Sequence, residues 1–312
     1  MTATHRPHGD TAAAPGRDAT APQEIPARGW LAILRRTRVE AKRDDLPLLA
    51  AGVAFYALLS LVPALAAMVS VYGLVADPAD VDRQVGDALA AAPAEVRELV
   101  SEQLRAVTDQ SQGGLGLTVA IGVLLALWSA SSGMKHLIGA INVAYDEEET
   151  RGFVALRLRA LLLTLGAIVF AVVAVGLLAL APGGIVAALV RIPLLGLGML
   201  VGLAVLYRYG PDRDEPRWSW TAPGTIVAVV GWLVGSALFS LYTATSGSYA
   251  ETYGALGAVV VLMLWLMISA AVIVVGAEVN AEAERQTARD STVGEERPLG
   301  TRDAHAADTV AG

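Results

Sequence analysis

The chain has 312 residues, 54% of them hydrophobic, a formal net charge of −7 and no cysteine, and its charged residues sit in blocks separated by long uncharged runs. A soluble chain must give each surface helix a polar face, so this patterning excludes an ordinary soluble protein and marks an all-α polytopic membrane protein. The missing thiols remove disulfides, thiolate metal sites and a cysteine nucleophile, the acidic balance argues against nucleic acid as a partner, and no residue set calls for a cofactor.

Residues 1–27 are rich in Pro, Ala, Thr and Gly and carry almost no large apolar side chain, so they are expected to be a disordered tail. The stretch GWLAILRRTRVEAKR at 29–43 then has the composition of an interfacial helix lying on an anionic leaflet, and a solvated helix that only sets topology is the alternative. Six apolar spans follow, over about 48–76, 115–134, 158–181, 192–207, 221–243 and 255–277. At a rise of about 1.5 Å per residue, some 20 residues cross a hydrocarbon core. The fourth span is short and either starts earlier, from Ile185, or thins the bilayer. Pro63 should bend the first span. The second must run on through its serines, because 115–128 is too short to cross; Leu137 to Tyr145 then continues it as an interfacial helix.

The first connection carries apolar residues at helical spacing on either side of Pro93, which predicts a short external hairpin of amphipathic helices at about 79–110. Residues 28–285 thus form a six-helix membrane domain, and 286–312 are expected to be a second disordered tail. Lys and Arg number eight before the first span, four after the last, four in the second connection and three in the fourth, against four in the odd-numbered connections. That asymmetry predicts both termini in the cytoplasm.

The span centres hold no ionisable residue, which argues against an ordinary proton relay, and Glu278 and Asn280 are expected to reach cytoplasmic water past the sixth span. Neutral polar groups remain. Ser129, Ser132, His136 and Asn142 fall on one helical face, Ser236, Ser240 and Thr243 on another, and Ser60 precedes Pro63 by one turn. They either line a shared cavity or bond helix to helix. Tyr249, Glu251 and Tyr253 would stand at an external mouth, as a cap or as interface anchors. No HExxH, GxSxG or Walker motif occurs, and the acids Asp146, Glu147, Glu148 and Glu149 read as a solvated face, with divalent-ion binding as the alternative.

Three stretches, AGVAFYALLSLVPAL at 51–65, LWSASSGMKHLIGAINVAYDEEETRGFVALRLRALLLTL at 127–165 and the segment from LYRYGPDRDEPRW to VGAEVNAE at 206–282, resemble the YihY/virulence factor BrkB family of bacterial inner-membrane proteins. The resemblance implies six membrane helices with cytoplasmic termini and supplies no catalytic residues. It also implies that an old ribonuclease name for the family is a misassignment, and associations with resistance to host killing and envelope lipid traffic. The expected function is transport or translocation of an envelope lipid or other amphiphile, with membrane lipids as partners. A non-transporting organiser, acting as a homo-oligomer or through an envelope protein bound to the external helices, is the alternative. A hydrolase or ribonuclease comes third.

Overall fold

In the computed structural model, residues 15–73, 116–180, 185–245 and 255–311 are described. The expected hairpin at 79–110 and Tyr249, Glu251 and Tyr253 lie outside them. Every apolar run with described residues is helical, and no strand occurs among these residues. Helix α1 (Ala27–Arg43) leads through a two-residue elbow into α2 (Leu46–Gly73), followed by α3 (Gly116–Ala144), α4 (Phe153–Leu180), α5 (Ile185–Tyr209), α6 (Trp218–Thr245) and α7 (Ala255–Glu284). A single turn, α8 (His305–Asp308), closes the chain. Among the described residues, Phe153–Ala174, Trp218–Thr245 and Val259–Glu284 are long and apolar enough to cross a membrane. The pair formed by α1 and the start of α2, bent by 67°, would be a fourth.

The helices pack through small residues and turn their large ones outward. Ala50, Ala140, Ala228 and Ala277 are buried where helices meet, while Leu124, Leu162, Leu233 and Leu238 are exposed. This inverts the arrangement of a water-soluble core and suits helices that associate in lipid, where close backbone approach replaces the hydrophobic drive. Helix α7 is the centre of the assembly: it packs on α1, α2, α3 and α6.

The α6–α7 seam shows how close that approach is. A Cβ on Gly231 would stand 3.3 Å from Val272, and one on Gly235 would stand 3.0 Å from Ile268, so the glycine spacing serves packing. Farther along, Trp232 Nε1 donates to Ser269 Oγ at 3.1 Å, Trp265 Nε1 donates to Ser236 Oγ at 3.3 Å, and the two indoles meet edge to face. At the other end, Gly224 N–H donates to Asn280 Oδ1 at 2.7 Å.

Helix α3 passes through Ser129, Ser131 and Ser132 without a break, as the length argument requires. Its last turns bury one side, where Ile138, Ile141 and Tyr145 are fully buried, and leave Gly139 and Val143 exposed on the other. The elbow between α1 and α2 turns on Asp45, whose φ of 48° is left-handed and whose carbonyl accepts the Leu48 N–H at 2.7 Å. Asp tolerates this region better than most residues because its short side chain bonds locally.

The two tails depart from expectation. Residues 15–26 and 285–311 are folded, and they dock on each other beside α7. Thr287 Oγ1 donates to Ala19 O at 2.6 Å, Gln286 Nε2 to Pro15 O at 2.7 Å, and Ala288 N–H to Arg17 O at 2.8 Å. Arg302, almost wholly buried, donates to the carbonyls of Ala288, Arg289, Arg297 and Ala307 and so ties the segment into a knot. Thr292 pairs with Pro216 in an isolated antiparallel bridge. Backbone groups that an apolar core would leave to water are satisfied here by side chains from distant parts of the chain, which composition does not reveal.

Candidate functional site

Of the polar residues singled out in the sequence as cavity lining, Ser60, Ser132, His136 and Ser236 join helix to helix and the others do not. Ser60, buried, donates to Tyr56 O at 2.7 Å and accepts the Gly133 N–H at 2.9 Å, where α2 and α3 nearly touch. Ser132 accepts from Arg157 of α4 at 3.3 Å, and the guanidinium of Arg157 lies over the Trp128 ring at 4.3 Å. Ser129 and Ser240 are exposed, and Thr243 donates to Ser240 O on its own helix. Ser236 takes the Trp265 bond described above. His136 stacks on Tyr56 with centroids 3.4 Å apart. That stack forms one side of a groove of about 410 Å³ between α2, α3 and α4, whose wall is Leu48, Leu49, Val53 and Leu156 and whose rim carries Lys135, His136 and Glu149.

Asn142 belongs elsewhere. Its Nδ2 donates to Glu149 Oε2 at 3.0 Å and its Oδ1 accepts the Asp212 N–H at 2.9 Å, so it fixes the α3–α4 connection to the α5–α6 connection. Asp212 in turn accepts from Thr150 N and Oγ1, both at 2.7 Å. Against partial desolvation, those bonds hold its carboxyl below the ordinary value. Asp146, Glu148 and Glu149 are exposed, as a solvated face requires, but the run is also held in place: Glu149 pairs with Arg151 at 2.6 Å, Asp146 with Arg285, and the half-buried Glu147 accepts the His305 N–H at 2.7 Å.

These connections enclose a buried polar hub at the end of α7. Glu278 is 1% exposed and Asn280 is fully buried, which corrects the expectation that both reach water. The chain stays helical to Glu284, and α1, the ends of α3 and α6 and the docked tail cover the last turns. Arg36 donates to Glu282 and to Gln286 Oε1 at 2.7 Å, and Arg285 spans Glu282 and Asp146. Arg213 grips Glu284 with two bonds of 3.1 and 2.7 Å, and both side chains are sealed from solvent. Every arginine of the hub is thus committed to a carboxylate, and Glu278 is left over. Neither of its oxygens has a donor among the described residues, and the Tyr145 hydroxyl and the Asn280 amide NH₂ face each other with no other partner among them. No three His, Asp or Glu side chains among the described residues are placed to hold a metal ion together.

Glu147 gives the hub's edge a pH dependence. Burial pushes its carboxyl up to about 7 from 4.5, against the bond from His305. Because the folded value lies above the ordinary one, the contribution is complete below about pH 4.5 and is lost as pH rises to about 7. Limited proteolysis of the 286–311 segment should therefore quicken severalfold across that window, and E147Q should flatten the profile.

Comparisons with known proteins agree with the helical reading. The family model described as Virulence factor BrkB matches residues 37–299. The chain is 33% identical over 249 residues to the "Putative ribonuclease-like protein YfkH" of Bacillus subtilis (strain 168), covering 74% of this chain and 87% of that protein. No solved structure matches the chain. With the matched region running from α1 through the hub and into the docked tail, the chain belongs to the BrkB virulence factor family.

Proposed function

We propose that the protein crosses the bacterial inner membrane six times, with both termini in the cytoplasm, and moves an envelope lipid or other amphiphile. The six-span reading is supported by six helices of 25 to 30 residues and by the bias of Lys and Arg toward one set of connections. The groove between α2, α3 and α4 carries the functional reading. An apolar wall beside a rim of Lys135, His136 and Glu149 has the two-part chemistry of an amphiphile, with acyl chain on one side and headgroup on the other.

Gly52 and Gly139 line the groove, and a Cβ on either meets nothing within 4 Å. G139L therefore puts bulk into the groove without disturbing the helices. Purified protein in liposomes should accelerate the transfer of a fluorescent phospholipid between leaflets, and G139L should slow that transfer severalfold while eluting as the native species. Equal rates with and without protein, for phospholipids of several headgroups, would overturn the reading.

A further inference from the structure

Glu278 faces the α1–α2 elbow, and the cation that reaches it, Arg285, is bonded to Glu282 and Asp146 instead. Asp44, in the elbow itself, lies within hydrogen-bonding reach of it. Two carboxylates can bond only if one carries a proton. An isolated buried carboxylate is too costly to keep, and a group so placed neutralises itself instead. The charged groups around it are spoken for. On α7, Glu282 pairs with Arg36 and Arg285, and Glu284 with Arg213. At the end of α3, Asp146 takes the other arm of Arg285, and the Tyr145 hydroxyl faces the Asn280 amide. On α6, the Gly224 N–H goes to Asn280, and the Thr221 and Thr225 hydroxyls go to carbonyls of their own helix.

We propose that Glu278 is a proton-binding site whose proton is shared with Asp44, and that this proton latches the elbow onto α7. When the proton leaves, two like charges face each other across the joint between α1 and α7, and the elbow swings away. The site stands whether or not the groove carries a lipid. It lies at the helix end, whereas the span centres hold no ionisable residue.

The test uses the absence of cysteine from the chain. Lys42 and Val275 lie on opposite sides of a groove of about 590 Å³ beside the elbow, so K42C with V275C reports its closure through the rate of bifunctional cross-linking. The measurement is made on the full chain in nanodiscs with E147Q as background, which removes the Glu147 titration. Cross-linking should fall severalfold as pH rises, and E278Q, a permanently neutral partner for Asp44, should cross-link at the fast rate at every pH. D44N, which can donate to an ionised Glu278, should flatten the profile from the other side, and guards against a failure of E278Q to fold. Infrared difference spectra should show a protonated-carboxyl band that E278Q removes. Wild-type pH profiles in both variants, or a band untouched by E278Q, would overturn the proposal. So would a profile that moves when sodium is replaced by choline at fixed pH, since that would make the ligand a metal cation.

Discussion

Arg213→Ala is expected to destabilise the folded chain by about 3–5 kcal/mol, the range for removing one partner of a buried ion pair. The reason is the charge left behind. Glu284 is 0% exposed, takes both of its strong bonds from Arg213 and keeps only the Ser291 hydroxyl, at 2.5 Å, once the guanidinium is gone. The Tyr145 ring, 4.9 Å from that guanidinium, loses its cover as well. Thermal unfolding in detergent, followed by tryptophan fluorescence, should show the loss as a large drop in midpoint. Replacing both partners by apolar residues, R213M with E284L, should cost clearly less than R213A alone, because no charge is then stranded. If the single and double variants unfold together, the pair's contribution lies in shape rather than charge.

Gly224→Ala should be nearly as damaging, at about 3 kcal/mol, the upper end for overpacking an interior. The added methyl would overlap the Gly276 carbonyl oxygen and stand 2.6 Å from Asn280 Cγ. A backbone carbonyl inside a helix cannot rotate away, so α6 and α7 would have to separate, and the Gly224–Asn280 bond would stretch with them. The control is Gly166→Ala, where the Cβ meets nothing within 4 Å. That change should be neutral or stabilise by up to about 1 kcal/mol, since alanine is the better helix former. Equal behaviour of the two variants in the same unfolding assay would remove the close approach from the account.

The helices were legible because their signal is local. Long uncharged runs bounded by charge blocks mark each of them, and the spacing argument that carried α3 past its serines needed only the length of the run. The hub was much less so. Asp44, Tyr145, Arg213 and Glu278 come from three connections and one helix, and nothing in their spacing along the chain announces their meeting. One signal was available in VGAEVNAEAER: Glu278, Glu282 and Arg285 recur at helical spacing after the apolar run ends, as do Asn280 and Glu284. A helix that keeps its period while changing its composition is still packing against something. The tails were missed for a related reason: they bury only a few small or isolated apolar residues, such as Ala19, Ile25 and Ala306, and their order rests also on hydrogen bonds between residues some 270 positions apart, such as Thr287 to Ala19.

That docking also sets a schedule for assembly. Residues 15–20 leave the ribosome first among the described segments, yet Gln286, Thr287 and Ala288, which donate to their carbonyls, are made some 270 residues later. Throughout synthesis the early segment has no mate, and the hub cannot close until α7 and the segment after it have emerged. Closing so long a loop is slow relative to forming each helix. The joining of residues 15–20 to residues 286–288 is therefore a late event in folding, and a chain stopped before residue 286 is expected to form its helices while leaving its polar hub unsealed.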